Sequence, residues 1–174
     1  MIFKIAYQHI NPASLLLAGF FYFSTMTIKQ KIHQTHQQLL QDKIDVFQDM
    51  ISGLTTDAQN DAKGSAGDKH ETALAMMHLE QEKLNHKLRE LLGQKAILDK
   101  IDPTREHKVV ALGSVVKTNQ LWLFISSALP KITIDDKTIF AVSPSAPLGS
   151  NLMGNQVGHS FDINGKKYVI EEIT

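Results

Sequence analysis

The sequence predicts an α+β fold: an N-terminal antiparallel helical hairpin followed by a small antiparallel β domain with one short helix. Three observations predict it. Apolar residues recur on a three-four lattice through two proline-free stretches after Thr27, the period of helices that share a seam. A short break holding Gly64 and Gly67 separates the two stretches. Beyond Lys108 the period falls to two, with turn residues between short apolar runs, as in hairpin-linked strands.

Three units follow, at residues 1–25, 26–102 and 103–174. The first is a hydrophobic leader with an apolar run at 13–23. That run is shorter than the roughly 20 residues a spanning helix needs, and Ser24-Thr25-Met26 is a poor cleavage site. We read Met26 as the true translation start and the leader as a misassigned extension, so neither a membrane anchor nor export is expected.

The first helix spans about 27–63, with Leu40, Ile44, Phe47, Ile51, Leu54 and Ala58 along its seam. Its partner carries Leu74, Met77, Leu84, Leu88, Leu91 and Leu98 and stops at Ile101-Asp102-Pro103, because proline lacks an amide donor and restricts the residue before it. Two such helices joined by a short turn run antiparallel as an arm on the order of 50 Å long. Strands are expected at 109–112 with 115–116, at 121–125, at 131–134 and at 138–142, with Trp122, Phe124 and Phe140 in the sheet core. A short helix is expected from Pro144 to about Gly154, and a closing hairpin turns at Asn164-Gly165, the strongest short hairpin signal.

Composition narrows the chemistry. Lys plus Arg and Asp plus Glu are both 18, so no basic field draws in nucleic acid and independent DNA binding is not expected. The absence of cysteine removes thiolate metal sites and thiol nucleophiles. His33, His36, His78 and His86 lack the spacing of a zinc set. The break between the helices carries Asp68 and Glu71, an acidic pair at i and i+3. That spacing suits a reciprocal capping box, in which each residue satisfies an amide at the helix start. At an arm tip, far from any core, the same pair also suits a reagent that the hairpin delivers elsewhere. Asp57, Asp61 and His70 are secondary candidates there, with a solvated face as their simpler role.

Gly67-Asp68-Lys69-His70-Glu71 and the segment Ser143-Pro144-Ser145-Ala146-Pro147-Leu148-Gly149, continuing to Val157-Gly158, resemble the GreA/GreB transcript cleavage factors, as a diverged subfamily. The resemblance covers 26–174 and implies that the β domain is FKBP-like and docks on bacterial RNA polymerase. It implies that Asp68 and Glu71 are the functional acidic pair, which helps hold a Mg²⁺ shared with the polymerase and not stably bound by the free protein. The protein would then be a cytoplasmic accessory factor in transcription elongation, not an enzyme. Its tip would enter the secondary channel and assist cleavage of backtracked RNA, touching nascent RNA only within that complex. The alternative is a non-cleaving Gre-like regulator that binds the polymerase and modulates or inhibits it. The family's Arg-Pro signature is absent from helix one, and the segment after Glu71 is more apolar than the family's.

Overall fold

The computed structural model describes residues 26–61 and 68–174, and within these the side chains of 57–61, 68–71 and 73 are outside the description. The leader and the break between the helices therefore lie outside the described residues.

Helix α1 (Ile28–Asp61) begins with a reciprocal capping box. The Gln30 amide donates to Thr27 Oγ1 at 3.2 Å, and the Thr27 amide donates to Gln30 Oε1 at 2.9 Å, satisfying two amides that the helix start leaves free. Helix α2 (Asp68–Leu98) returns alongside it. Gln37 donates to Asp99 and Gln81 donates to Thr55, so the partner number falls on one helix as it rises on the other, as antiparallel packing demands. The final turn tightens: the amides of Lys100 and Ile101 bond the carbonyls of Ile97 and Leu98, three residues back. The helix thus ends three residues before the expected Ile101.

Burial fades along the seam. Leu40, Ile44, Leu91 and Leu98 are buried, whereas Phe47, Ile51, Leu54, Leu74, Met77, Leu84 and Leu88 are half-buried. Two helices cover each other on one side only, and complete burial needs a third layer. That layer is the sheet, which reaches only the base of the arm.

The sheet has six strands, β1 (Val115–Thr118), β2 (Trp122–Ile125), β3 (Ile132–Ile134), β4 (Lys137–Val142), β5 (Ser160–Ile163) and β6 (Lys166–Ile173), in the order β3-β4-β2-β1-β6-β5. Alternation along each strand gives two cores. Val115, Phe124, Ile132 and Ile139 pack with Ile32, Leu40, Leu91 and Leu98 of the arm. On the other face Val116, Leu123, Ile125, Phe161, Tyr168 and Ile170 pack with Leu152 of helix α3 (Pro147–Leu152).

Four expectations need correction. The sheet is not wholly antiparallel: β2 and β4 pair in parallel, with Trp122 opposite Ile139 and Ile125 opposite Val142. After β2 the chain crosses to the outer position as β3, and β4 turns back into the gap between them. Residues 109–112 form no strand. The Val110 amide instead bonds the Asn155 carbonyl, and the Val110 carbonyl accepts from Gly154. Gly113 then turns the chain at φ +90° against Ile101, where an added Cβ would lie 2.8 Å from the Ile101 Cγ2. Phe140 is not core: it is 38% exposed, although its partner across the parallel pair, Leu123, is buried, while its neighbour Ile139 packs fully buried toward the arm. The short helix starts later than expected, with Pro147 in its first turn, where a missing amide costs nothing.

Candidate functional site

Asp68 opens α2, and Glu71 falls in the same first turn. Their side chains, and those of Asp57, Asp61 and His70, lie outside the described residues. What the backbone fixes is reach. The 31 residues of α2 separate Asp68 from Leu98 at the head, on the order of 45 Å at 1.5 Å per residue. Two carboxylates are hard oxygen donors of the kind Mg²⁺ takes, and too few to enclose it alone. Among the described residues no group of three or more His, Asp or Glu is placed to hold a metal.

The second polar concentration is at the base of the arm. Lys29, His33 and His36 are all buried, and they continue the seam backwards from Leu40 in steps of four and three. His36 is fully buried, with Nδ1 3.0 Å from the Ile32 carbonyl oxygen and Nε2 3.1 Å from that of Pro130. A neutral imidazole has one N–H, so it donates to only one of the two carbonyls. Burial lowers its proton affinity, against the upward pull of Pro130 and Ile32. His33 Nε2 lies 2.9 Å from the Leu98 carbonyl oxygen and ties α1 to the end of α2. Lys31 bridges to Asp135 in the β3–β4 turn at 2.8 Å.

Lys29 is 4% exposed. Its ammonium donates to the Arg105 carbonyl and approaches His107 Nδ1 at 3.2 Å, and no carboxylate forms an ion pair with it among the described residues. Burial lowers the Lys29 pKa most, and Arg105 adds to the lowering against Asp102 and Glu106. His107 is lowered by its own burial, then by Lys29 and Arg105, while a hydrogen bond to the Thr174 backbone opposes the change. Thr27, Lys29, Gln30, Thr104, Arg105 and Thr174 help line a cavity of about 190 Å³ here.

Reading the sequence had not brought these residues together. The one local signal was polar side chains at seam positions, since Lys29, His33 and His36 stand where leucines are expected. Arg105 and His107 lie in the linker, and nothing in their spacing points to Lys29.

Fold and site together define an α+β protein with a two-helix arm on a six-stranded mixed sheet. No family model matches the chain, and no curated protein matches it. Among solved structures it is similar to one described as that of the transcription factor Gfh1, at 20% identity, over 79% of this chain and 92% of that one, with a TM-score of 0.31. So loose a superposition bears on neither mechanism nor partner.

Proposed function

We propose that this protein is an accessory factor of bacterial RNA polymerase in transcription elongation. Its arm carries Asp68 and Glu71 into the secondary channel, where they assist cleavage of backtracked RNA. The observation that carries this reading is the start of a 31-residue helix at Asp68, which sets an acidic pair at the end of an arm remote from the sheet. The tip motif and the segment from Ser143 to Gly158 support the same assignment. Among the described residues no helix is long and apolar enough to cross a membrane.

The factor supplies ligands and the polymerase supplies the active site. Asp68 and Glu71 would hold a Mg²⁺ jointly with the polymerase, and a bound Mg²⁺ acts as a Lewis acid that lowers the pKa of water and stabilises charge on phosphoryl oxygens. The head docks and the arm sets the reach, so the residues of this chain position and do not turn over substrate alone.

The test is RNA cleavage in stalled, backtracked elongation complexes with wild-type protein or the Asp68→Ala/Glu71→Ala double variant. Stimulation by the wild type, lost in the variant while polymerase binding persists, is the expected result. Binding with no stimulation by either protein would move it to the non-cleaving regulators, and no binding would remove the polymerase from its function.

A further inference from the structure

From the geometry around Lys29 we infer a modification site: its amine is a nucleophile acylated by small acyl phosphates, with His107 as proton acceptor and Arg105 as the phosphate-binding cation. Two observations converge on it. His107 Nδ1 lies 3.2 Å from Lys29 Nζ, which puts a base within reach of the amine, the first requirement for activating a nucleophilic side chain.

The surroundings fit the reagent. Lys29 and Arg105 line the same cavity, about 190 Å³ in volume, room enough for an acyl phosphate of two carbons. A guanidinium presents paired N–H donors suited to phosphate oxygens. Lys29 also lacks a carboxylate ion-pair partner among the described residues, so its ammonium is held by the Arg105 carbonyl and the His107 ring. The lowered proton affinity of the buried amine leaves more of it in the free-base form than an exposed lysine has at the same pH.

In the step itself, the Lys29 nitrogen lone pair attacks the acyl carbon and forms the amide bond. The carbon–oxygen bond to phosphate breaks, and its electron pair leaves on the phosphate. His107 takes the first proton from the ammonium, which frees the lone pair, and passes it to water; the second leaves the nitrogen as the amide forms and goes to the departing phosphate. Lys-NH₃⁺ and acetyl phosphate thereby give acetyl-lysine, hydrogen phosphate and one proton. Acylation removes the ammonium that donates to the Arg105 carbonyl, so the bond from α1 to the linker changes with it.

The test is incubation of the full chain with acetyl phosphate, followed by rates of acetylation at each lysine from peptide mass spectrometry. Exposed Lys43 is the internal control. Lys29 is expected to react about tenfold faster than Lys43, the lower part of the range for a positioned base. Inorganic phosphate should slow Lys29 and leave Lys43 unchanged, and Arg105→Gln should abolish that competition. His107→Gln should bring Lys29 down to the Lys43 rate. Should His107→Gln fail to fold, the wild-type ratio and the phosphate competition decide alone. A Lys29 rate at or below that of Lys43, or a preference that survives His107→Gln, would overturn the assignment.

Discussion

His36 lies nearly parallel to Phe124, ring centroids 5.7 Å apart and planes inclined by 17°. The pair joins the arm to the central region of the sheet, because His36 belongs to α1 and Phe124 to β2. Stacking positions the imidazole so that its two nitrogens meet carbonyls from different parts of the chain, Ile32 in the helix and Pro130 before β3.

Stability should therefore depend on pH. The folded-state pKa of His36 lies below its ordinary value, with burial as the main cause, and His107 is shifted the same way. Between the folded and unfolded values the unfolded chain binds more protons, so stability rises with pH there. The contribution is complete above about pH 6.5, the unfolded histidine value, and is lost as pH falls through the lower folded value. Urea unfolding at pH 8 and pH 5.5 should show the loss, and His36→Leu should flatten part of the slope. An unchanged slope in that variant would remove His36 as a source.

Gly149 admits no side chain. A Cβ there would lie 1.9 Å from the Ser143 carbonyl oxygen, a backbone atom that cannot swing aside. Gly149→Ala should destabilise by about 3 kcal/mol or more, at the upper end for overpacking, measured by thermal or denaturant unfolding.

Phe140 and Phe124 sit on adjacent strands and should behave oppositely. Phe124 is fully buried, while Phe140 is 38% exposed. Phe124→Ala should cost about 3–5 kcal/mol, whereas Phe140→Thr should stay within about 0.5 kcal/mol. Equal losses would place Phe140 back in the core.

The β3–β4 turn runs through two aspartates with positive φ, Asp135 at 48° and Asp136 at 62°. Asparagine and glycine are the usual residues for a turn with two such positions. Asp135 has a compensating role, since Lys31 bonds its carboxylate and holds its pKa below the usual range. Among the described residues no such partner is seen for Asp136. Asp136→Gly should raise stability by about 0.5 kcal/mol, read as a shift in the denaturant midpoint at constant slope.

Much of this architecture was legible in the chain. The lattice through Leu40, Ile44, Leu91 and Leu98 marked both helices, and Asn164-Gly165 marked the last hairpin. The parallel pairing of β2 with β4 was not legible, because the two-residue turn at Asp135-Asp136 identifies β3 as the neighbour of β4 and says nothing of its other side. Phe140 misled for another reason: in a run as apolar as 138–142, period two does not reveal which residues a core reaches. At the site, Asp68 and Glu71 were visible as a spacing. The Lys29 cluster was not, because its members lie 76 and 78 positions apart and meet only through the fold.

Strand β1 pairs with β6, joining Val116 to Ile173 and Thr118 to Ile170. During synthesis the arm leaves the ribosome first and closes through neighbouring contacts, while β1 waits for more than fifty further residues before its outer partner emerges. Such distant pairings slow folding. Until then β1 and β2 offer the arm base an incomplete sheet, with β1 open along one edge to strands of other nascent chains. Truncation before β6 should thus yield a helical but aggregation-prone product, and the interval before β6 emerges is when the growing chain most needs a chaperone.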